Sequence, residues 1–155
     1  MPDGKTHDTI NAAVLIAVIF GLYYLIWKEI AVISVYLNTY TILSFSLAYM
    51  FATFFLSPDL DVNSKPYKRW GVLRFLWWPY KEIFKHRGFS HNPVIGPLTI
   101  VLNLAVIVAA ILLLGGFDLR SIPSSFIIAT TAGMVLSMEV HIISDNVISR
   151  MKRIF

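Results

Sequence analysis

The sequence predicts an all-α polytopic membrane protein, a four-transmembrane-helix bundle with an amphipathic aromatic and basic segment at the cytoplasmic interface. Three observations carry this expectation. Hydrophobic residues fill 57% of the 155 positions and charged residues 14%, against roughly 25% charged in an ordinary globular domain. Four stretches run for 18 residues or more without a formal charge. The 13 basic residues lie between those stretches, as in a membrane topology signal rather than a nucleic-acid-binding face. The same composition excludes a disordered chain. The absence of cysteine excludes a disulfide scaffold, a thiolate metal site and a cysteine nucleophile.

The elements follow in chain order. Thr9 to Trp27 is uncharged for 19 residues, Ile30 to Pro58 for 29, Gly88 to Phe117 for 30 apart from His91, and Ser121 to Met138 for 18. About 20 apolar residues cross a bilayer core of ~30 Å. Transmembrane helices are therefore expected near 9–27, 38–57, 93–115 and 122–143, in one membrane domain covering 1–155. Ile30 to Leu37 is surplus to the second span and reads as an interfacial turn or part of a tilted helix. The first run is preceded by a single lysine, Lys5, and no small-residue cleavage site follows it, so it reads as a retained span rather than a signal peptide.

With four spans the N-terminus, the central loop and the C-terminal tail share one side. Those segments hold 11 of the 13 basic residues, leaving Lys28 and Arg120 opposite. The positive-inside rule then makes both termini cytoplasmic. The central loop, 58–92, is the one sizeable extramembrane piece. In it Trp70, Leu73, Phe75, Leu76, Trp77, Trp78, Tyr80 and Phe84 alternate with basic residues, and Pro79 interrupts any long helix. This pattern suits a segment in the headgroup layer that draws anionic lipid. Lys65, Lys68 and Arg69 read as topology signals.

All four histidines and four of the six aspartates fall into four short clusters, His7-Asp8, Asp59 with Asp61, His86 with His91, and His141 with Asp145. Each is expected at the cytoplasmic end of one helix. His141 and Asp145 are four residues apart and share a helical face with Ser137, whereas Glu139 points elsewhere. Ionisable groups in such a segment usually face the bundle interior, and an i,i+4 pair is a familiar two-ligand arrangement. Thr6 is a candidate N-cap for the first helix. Asn11, four residues after His7, is placed to orient its ring. Asp59 and Asp61 could both point inward if their turn is extended. Ser46, Tyr49 or Met50, Thr53 and Ser57 form a small or polar stripe along the second helix, suited to close packing. Gly88 would permit the turn that aims His86 and His91 at one point.

Imidazole and carboxylate ligands suit zinc first, then manganese or iron. The candidate metal ligands are His7, Asp59, Asp61, His86, His91, His141 and Asp145, with Asp8, Asn11 and Ser90 as supporting residues around them. That set suffices for one or two divalent ions. Two ions bridged by a carboxylate form a clamp for phosphoester hydrolysis, and one suffices to activate water. Arg87 could hold phosphate oxygens bidentately.

The segments GKTHD, SPDLDVNSKPYKRWG, HRGFSH and HIISD together resemble a bacterial family of unknown function described as metal-binding integral membrane proteins. The resemblance covers nearly the whole chain and is strongest across 57–93. More distantly the chain is similar to inner-membrane metal-dependent hydrolases of the LexA-regulated type. Those share an early histidine, a D-x-D-like element, an H-R-G-x-[ST]-H element and a late histidine with an aspartate. The matching residues are His7, Asp59, Asp61, His86, Arg87, Gly88, Ser90, His91, His141 and Asp145. The wider pattern places a hydroxyl residue after the second histidine of its third element, where this chain has Asn92. The resemblance implies metal binding in a bacterial cytoplasmic membrane.

The expected function is therefore a metal-dependent hydrolase of a lipid phosphoester, with Asp61 as general base and Arg87 on the phosphate. Anionic phospholipid is the expected partner, and nucleic acid is not. A non-catalytic sensing or structural metal site is the alternative. A transporter would want ionisable residues near the midplane, where the spans have none. A serine hydrolase built on Ser90 and His91 would lack a G-x-S-x-G elbow.

Overall fold

The computed structural model describes residues 4–28, 36–84 and 92–154. Every regular element among them is helical. His86, Arg87, Gly88, Ser90, His91 and the 30–35 part of the expected interfacial turn lie outside the described residues.

Helix α1 runs Gly4–Trp27, so Thr6 lies inside it and does not cap it. Helix α2 runs Thr39–Phe55 and starts on a capping box. The Asn38 side chain accepts from Thr41 N–H, and the Thr41 hydroxyl accepts from Asn38 N–H. It stops two residues earlier than expected. The residue before a proline avoids the α region, and Ser57, ahead of Pro58, is extended at φ −134°, ψ 150°. The 3₁₀ turn Pro58–Asp61 follows.

Short elements fill the rest of the central segment, namely α3 (Lys65–Arg69), a 3₁₀ stretch Gly71–Trp77 and α4 (Trp78–Ile83). Gly71 has φ +54° at the junction of the first two, a left-handed conformation that glycine adopts without strain. Pro79 occupies the first turn of α4, where its missing N–H is harmless.

Helix α5 runs Ile95–Leu114. Asn92 accepts from Val94 and Ile95 N–H at 2.9 and 3.1 Å, which fastens the turn leading into α5. A Schellman closure ends α5. Gly116 at φ +76° donates to Leu113 O, and Phe117 donates to Leu112 O. After a 3₁₀ turn at Leu119–Ser121, α6 runs Ser124–Ile154 for 31 residues. That is about 46 Å. It extends well past the expected end at 143, since no glycine or proline follows Gly133 to stop it. His141 and Asp145 therefore sit within a continuous helix.

Three helices, α1, α5 and α6, are long and apolar enough to cross a membrane. The apolar α2 has 17 residues, the lower end of what a span needs. Phe20, Leu102, Leu114 and Ile128 on these helices are exposed, and large exposed apolar side chains in number are what a membrane or partner contact presents.

Helix α2 packs along α6 more extensively than any other pair. The two backbones come close at Gly133. A β-carbon there would collide with the Phe45 carbonyl oxygen and lie 3.1 Å from Tyr49 N. Backbone approach of this kind is what small residues permit in apolar surroundings.

The central segment contributes to the core. Trp77 and Tyr80 are buried with Ala52, Leu56, Leu60, Ile100 and Met138. Two of the aromatics expected in the interfacial segment thus belong to the core. Leu73, Phe75 and Trp78 are exposed, but Trp77 and Tyr80 close the end of the bundle. The Trp70 Nε1 and Arg69 Nη1 groups donate to Phe55 O and Phe54 O, each at 2.9 Å. They thereby satisfy carbonyls that the end of α2 leaves open.

Gly133→Ala should lower stability by about 1–3 kcal/mol, since neither backbone atom can move aside cheaply. Thermal unfolding in detergent checks this, and an unchanged midpoint would contradict the close approach.

Candidate metal centre

A polar ladder crosses the bundle between α1, α2 and α6. On its inner rung, buried Asn11 donates through Nδ2 to His7 O at 3.3 Å and accepts from Tyr49 Oη at 2.9 Å. Ser137 Oγ lies 3.5 Å from the same oxygen and 2.9 Å from Thr53 Oγ1. One turn further along each helix come His7, Thr53 and His141. Asn11 thus grips the His7 backbone. The His7 ring is held by a residue the sequence reading missed, Ser144, whose Oγ is 2.9 Å from Nδ1. The signal was present, because Ser144 lies beside Asp145 and three residues after His141.

The network selects a tautomer. Ser144 Oγ donates its one proton to His141 O at 2.8 Å. With that proton committed it accepts from His7 Nδ1, which leaves Nε2 facing the site, as a lone pair in the neutral ring and as an N–H in the protonated one. Nε2 stands 3.1 Å from Asp145 Oδ1. A protonated ring pairs with that carboxylate directly, and a neutral one can share a cation with it.

The second ring also faces carboxylates. His141 Nε2 is buried and makes no hydrogen bond. It lies 3.5 Å from Asp145 Oδ2 and 3.6 Å from Asp59 Oδ2, which is long for an N–H···O bond. The two imidazoles stack at 4.1 Å between centroids, so charging both by protonation would set like charges face to face.

Ligand atoms of His7, His141 and Asp145 all lie within 4.8 Å of one another. Asp59 Oδ2 stands beside this group, 3.6 Å from His141 Nε2. Two ligands each ~2.1 Å from one tetrahedral zinc stand about 3.4 Å apart. The separations from His7 to Asp145 Oδ1, from His141 to Asp145 Oδ2 and from His141 to Asp59 Oδ2, at 3.1, 3.5 and 3.6 Å, lie near that value, the first two to different oxygens of one carboxylate. The donor set therefore fits a borderline divalent metal.

A cavity of about 190 Å³ opens onto the cluster. His7, His141, Asp145, Asp59, Thr53 and Ser57 line it together with Asp8, Ser64, Lys65, Pro66 and Arg69. Asp8 pairs with Arg69 at 3.3 Å. Lys65 and Arg69, read from the sequence as topology signals, thus border the site. Asp61 takes another position. The compact 3₁₀ turn replaces the extended one that would have aligned it with Asp59, and Asp61 is buried outside the cavity lining. It lies near Tyr80, whose phenol is pushed well up by burial and further by the Asp61 charge. Glu139 is not among the residues that line the cavity.

The structure thus unites three of the four sequence clusters, and the fourth, His86 with His91, lies outside the described residues. Residues 2–155 match the profile of a family described as "Uncharacterized metal-binding protein (DUF2227)". The chain belongs to this family. Within it, the His7–Asp59–His141–Asp145 cluster is a donor set consistent with the family's description. An uncharacterized protein of Aquifex aeolicus (strain VF5) is 51% identical over 55 residues, 35% of this chain and 39% of that protein. The matched region thus spans well under half of that relative. No solved structure matches the chain.

Ser144→Ala should weaken metal binding by about 10–100-fold, the usual effect of removing a partner that orients a ligand, while the fold persists. Competition against a metallochromic chelator measures this. An unchanged affinity would sink the assigned tautomer.

Proposed function

We propose that the chain is a multi-pass membrane protein whose four apolar helices all span the bilayer, with both termini cytoplasmic, and that it hydrolyses a phosphoester of a membrane lipid. The observation that carries this reading is the open cavity beside the cluster. A purely structural metal site is closed, whereas here polar space adjoins the donors. His7, His141, Asp145 and Asp59 would hold the metal, with zinc favoured by the ligand types. When bound, such an ion supplies Lewis-acid polarisation of a phosphoryl oxygen.

The chain's own residues supply the rest. Ser144 and Asn11 fix the ring and backbone of His7. Asp59 is the carboxylate placed either to ligate or to accept a proton from water in the cavity. Asp61 was expected in the latter role, and its position away from the cavity lining favours Asp59 instead. Arg87, with His86, Ser90 and His91, remains proposed on sequence alone. The exposed Phe75, Trp78 and Leu73 beside Arg74 suit a headgroup-level anchor.

A second reading has its own support. The cluster ties α1, the turn after α2 and α6 at one point, as a structural or sensing site would.

Purified protein reloaded with zinc or manganese, assayed on a chromogenic phosphomonoester and on phosphatidic acid, separates the two. Turnover that falls at least about 100-fold in His141→Ala supports hydrolysis, since loss of a catalytic interaction of that size is ordinary. A metal-loaded protein with a raised melting temperature and no turnover on any phosphoester would leave the structural site.

A further inference from the structure

We propose that the groove between α2, α5 and α6 binds one neutral diacylglycerol-type lipid, whose ester carbonyls meet the hydroxyls of Ser44 and Thr131 and whose chains lie along the apolar walls. The proposal rests on the reading that these helices lie in a bilayer, and it is independent of the metal centre.

The groove begins where the core ends. Helices α2, α5 and α6 come together around buried Ala52, Ile100 and Met138. Beyond that point a cavity of about 810 Å³ opens between them, with Phe51, Val101 and Met134 at its inner end. At the outer end Tyr40 and Phe126 stand 6.3 Å apart between ring centroids. Tyr40 to Phe51 on α2, and Val101 to Leu112 on α5, each cover about 16 Å of helix. That is about half of a ~30 Å bilayer core, the depth of one leaflet. Thr131 lies about 15 Å before His141 along α6. The groove and the His7–His141 cluster are therefore separate places.

The lining sets the ligand's polarity. No residue of the groove carries a formal charge, so an ionised group would be desolvated there without a partner. The volume falls within the ~300–1,000 Å³ of pockets that take a small-molecule ligand. A neutral, largely apolar ligand fits both facts.

Two hydroxyls then ask for an acceptor. In a helix a serine or threonine commonly donates to the carbonyl one turn earlier. Ser46, Thr53, Thr99 and Thr130 all do so, to Ile42, Tyr49, Ile95 and Phe126. Ser44 and Thr131 make no such bond, nor any other among the described residues, and both line the groove. Ser44 is only 8% exposed. The two hydroxyls share a level, because Ser44 adjoins Phe45 and Thr131 lies two residues before Gly133, and Gly133 abuts the backbone at Phe45 and Tyr49. Two donors at one level suit two carbonyls on neighbouring carbons, as the esters of a diacylglycerol are placed. A quinone directs its carbonyls to opposite edges of a ring, and its second oxygen would meet an apolar wall.

The test uses the full-length protein in detergent, radiolabelled dioctanoylglycerol as probe, and metal content and helix content measured in every sample. Native protein should bind the probe with saturation. The Ser44→Ala/Thr131→Val double variant keeps the shape of the groove and should bind about tenfold more weakly or worse, the scale of two lost hydrogen bonds. Ala105→Phe, which fills the groove from α5, should abolish binding. Metal content should be unchanged in both. Equal affinity in the double variant overturns the carbonyl seat. Undiminished binding in Ala105→Phe places the lipid elsewhere and overturns the proposal. Competition by decylubiquinone but not by unlabelled dioctanoylglycerol overturns the ester assignment in favour of a quinone. Dimerisation of the native protein that Ala105→Phe abolishes, without probe binding, makes the groove a face for a second copy and overturns the lipid. Alkaline carbonate treatment of membranes separates the two readings. Release of the native protein overturns the bilayer reading, and retention without probe binding overturns the groove assignment alone.

Discussion

The hydrogen-bond relay from His7 Nδ1 through Ser144 Oγ to the His141 carbonyl is the interaction on which the site depends. It joins the first and last helices of the bundle. It decides which nitrogen of His7 faces inward, and it does so with a group that has only one proton to give. Remove that constraint and His7 could present either nitrogen, and the separations to Asp145 and His141 would lose their meaning. The inner rung of Asn11, Tyr49 and Ser137 works one turn away to the same end, setting the height of α1 against α6. Interhelical hydrogen bonds in apolar surroundings average only about 0.6 kcal/mol. The ladder's value is therefore register rather than adhesion, and adhesion comes from the α2–α6 contact around Gly133.

The central segment then acts on that frame from outside. Its buried Trp77 and Tyr80 plug the end of the bundle, and Arg69 and Trp70 take up the last carbonyls of α2. Those bonds answer a local need of the helix terminus. Their consequence is larger, because they lay α3 across the cavity and bring two cations next to three carboxylates. One short stretch thus stabilises a helix end and shapes the electrostatics of the site.

Much of this was legible in the residues. Long uncharged runs located all four apolar helices, because apolar length is a direct reading of what a helix can bury. The i,i+4 spacing of His141 and Asp145 predicted a shared face for the same geometric reason. Other features needed the fold. Asp61 follows Asp59 by two residues, and whether they align depends on whether the turn is extended or 3₁₀, which the pattern PDLD alone does not settle. Asn11 was correctly tied to His7, but its bond goes to the backbone. A side chain four residues on reaches a carbonyl as readily as a ring. Lys65 and Arg69 looked like topology charges since any basic residue outside an apolar run does. Only the packing of α3 separates those roles.

The position of the cluster follows from the same limits. In α1 the uncharged run begins at Thr9, just after His7. In α6 it ends at Met138, just before His141. The two helices therefore meet at the level where apolar sequence gives way to polar sequence. Deeper, two carboxylates and two imidazoles could not be solvated. Further out, water would screen their demand for a cation. At the boundary the carboxylates are buried enough to need a counter-ion and open enough to admit one through the cavity. That balance is what a site must have if a charged group is to arrive from the surface and react at the edge of an apolar bundle.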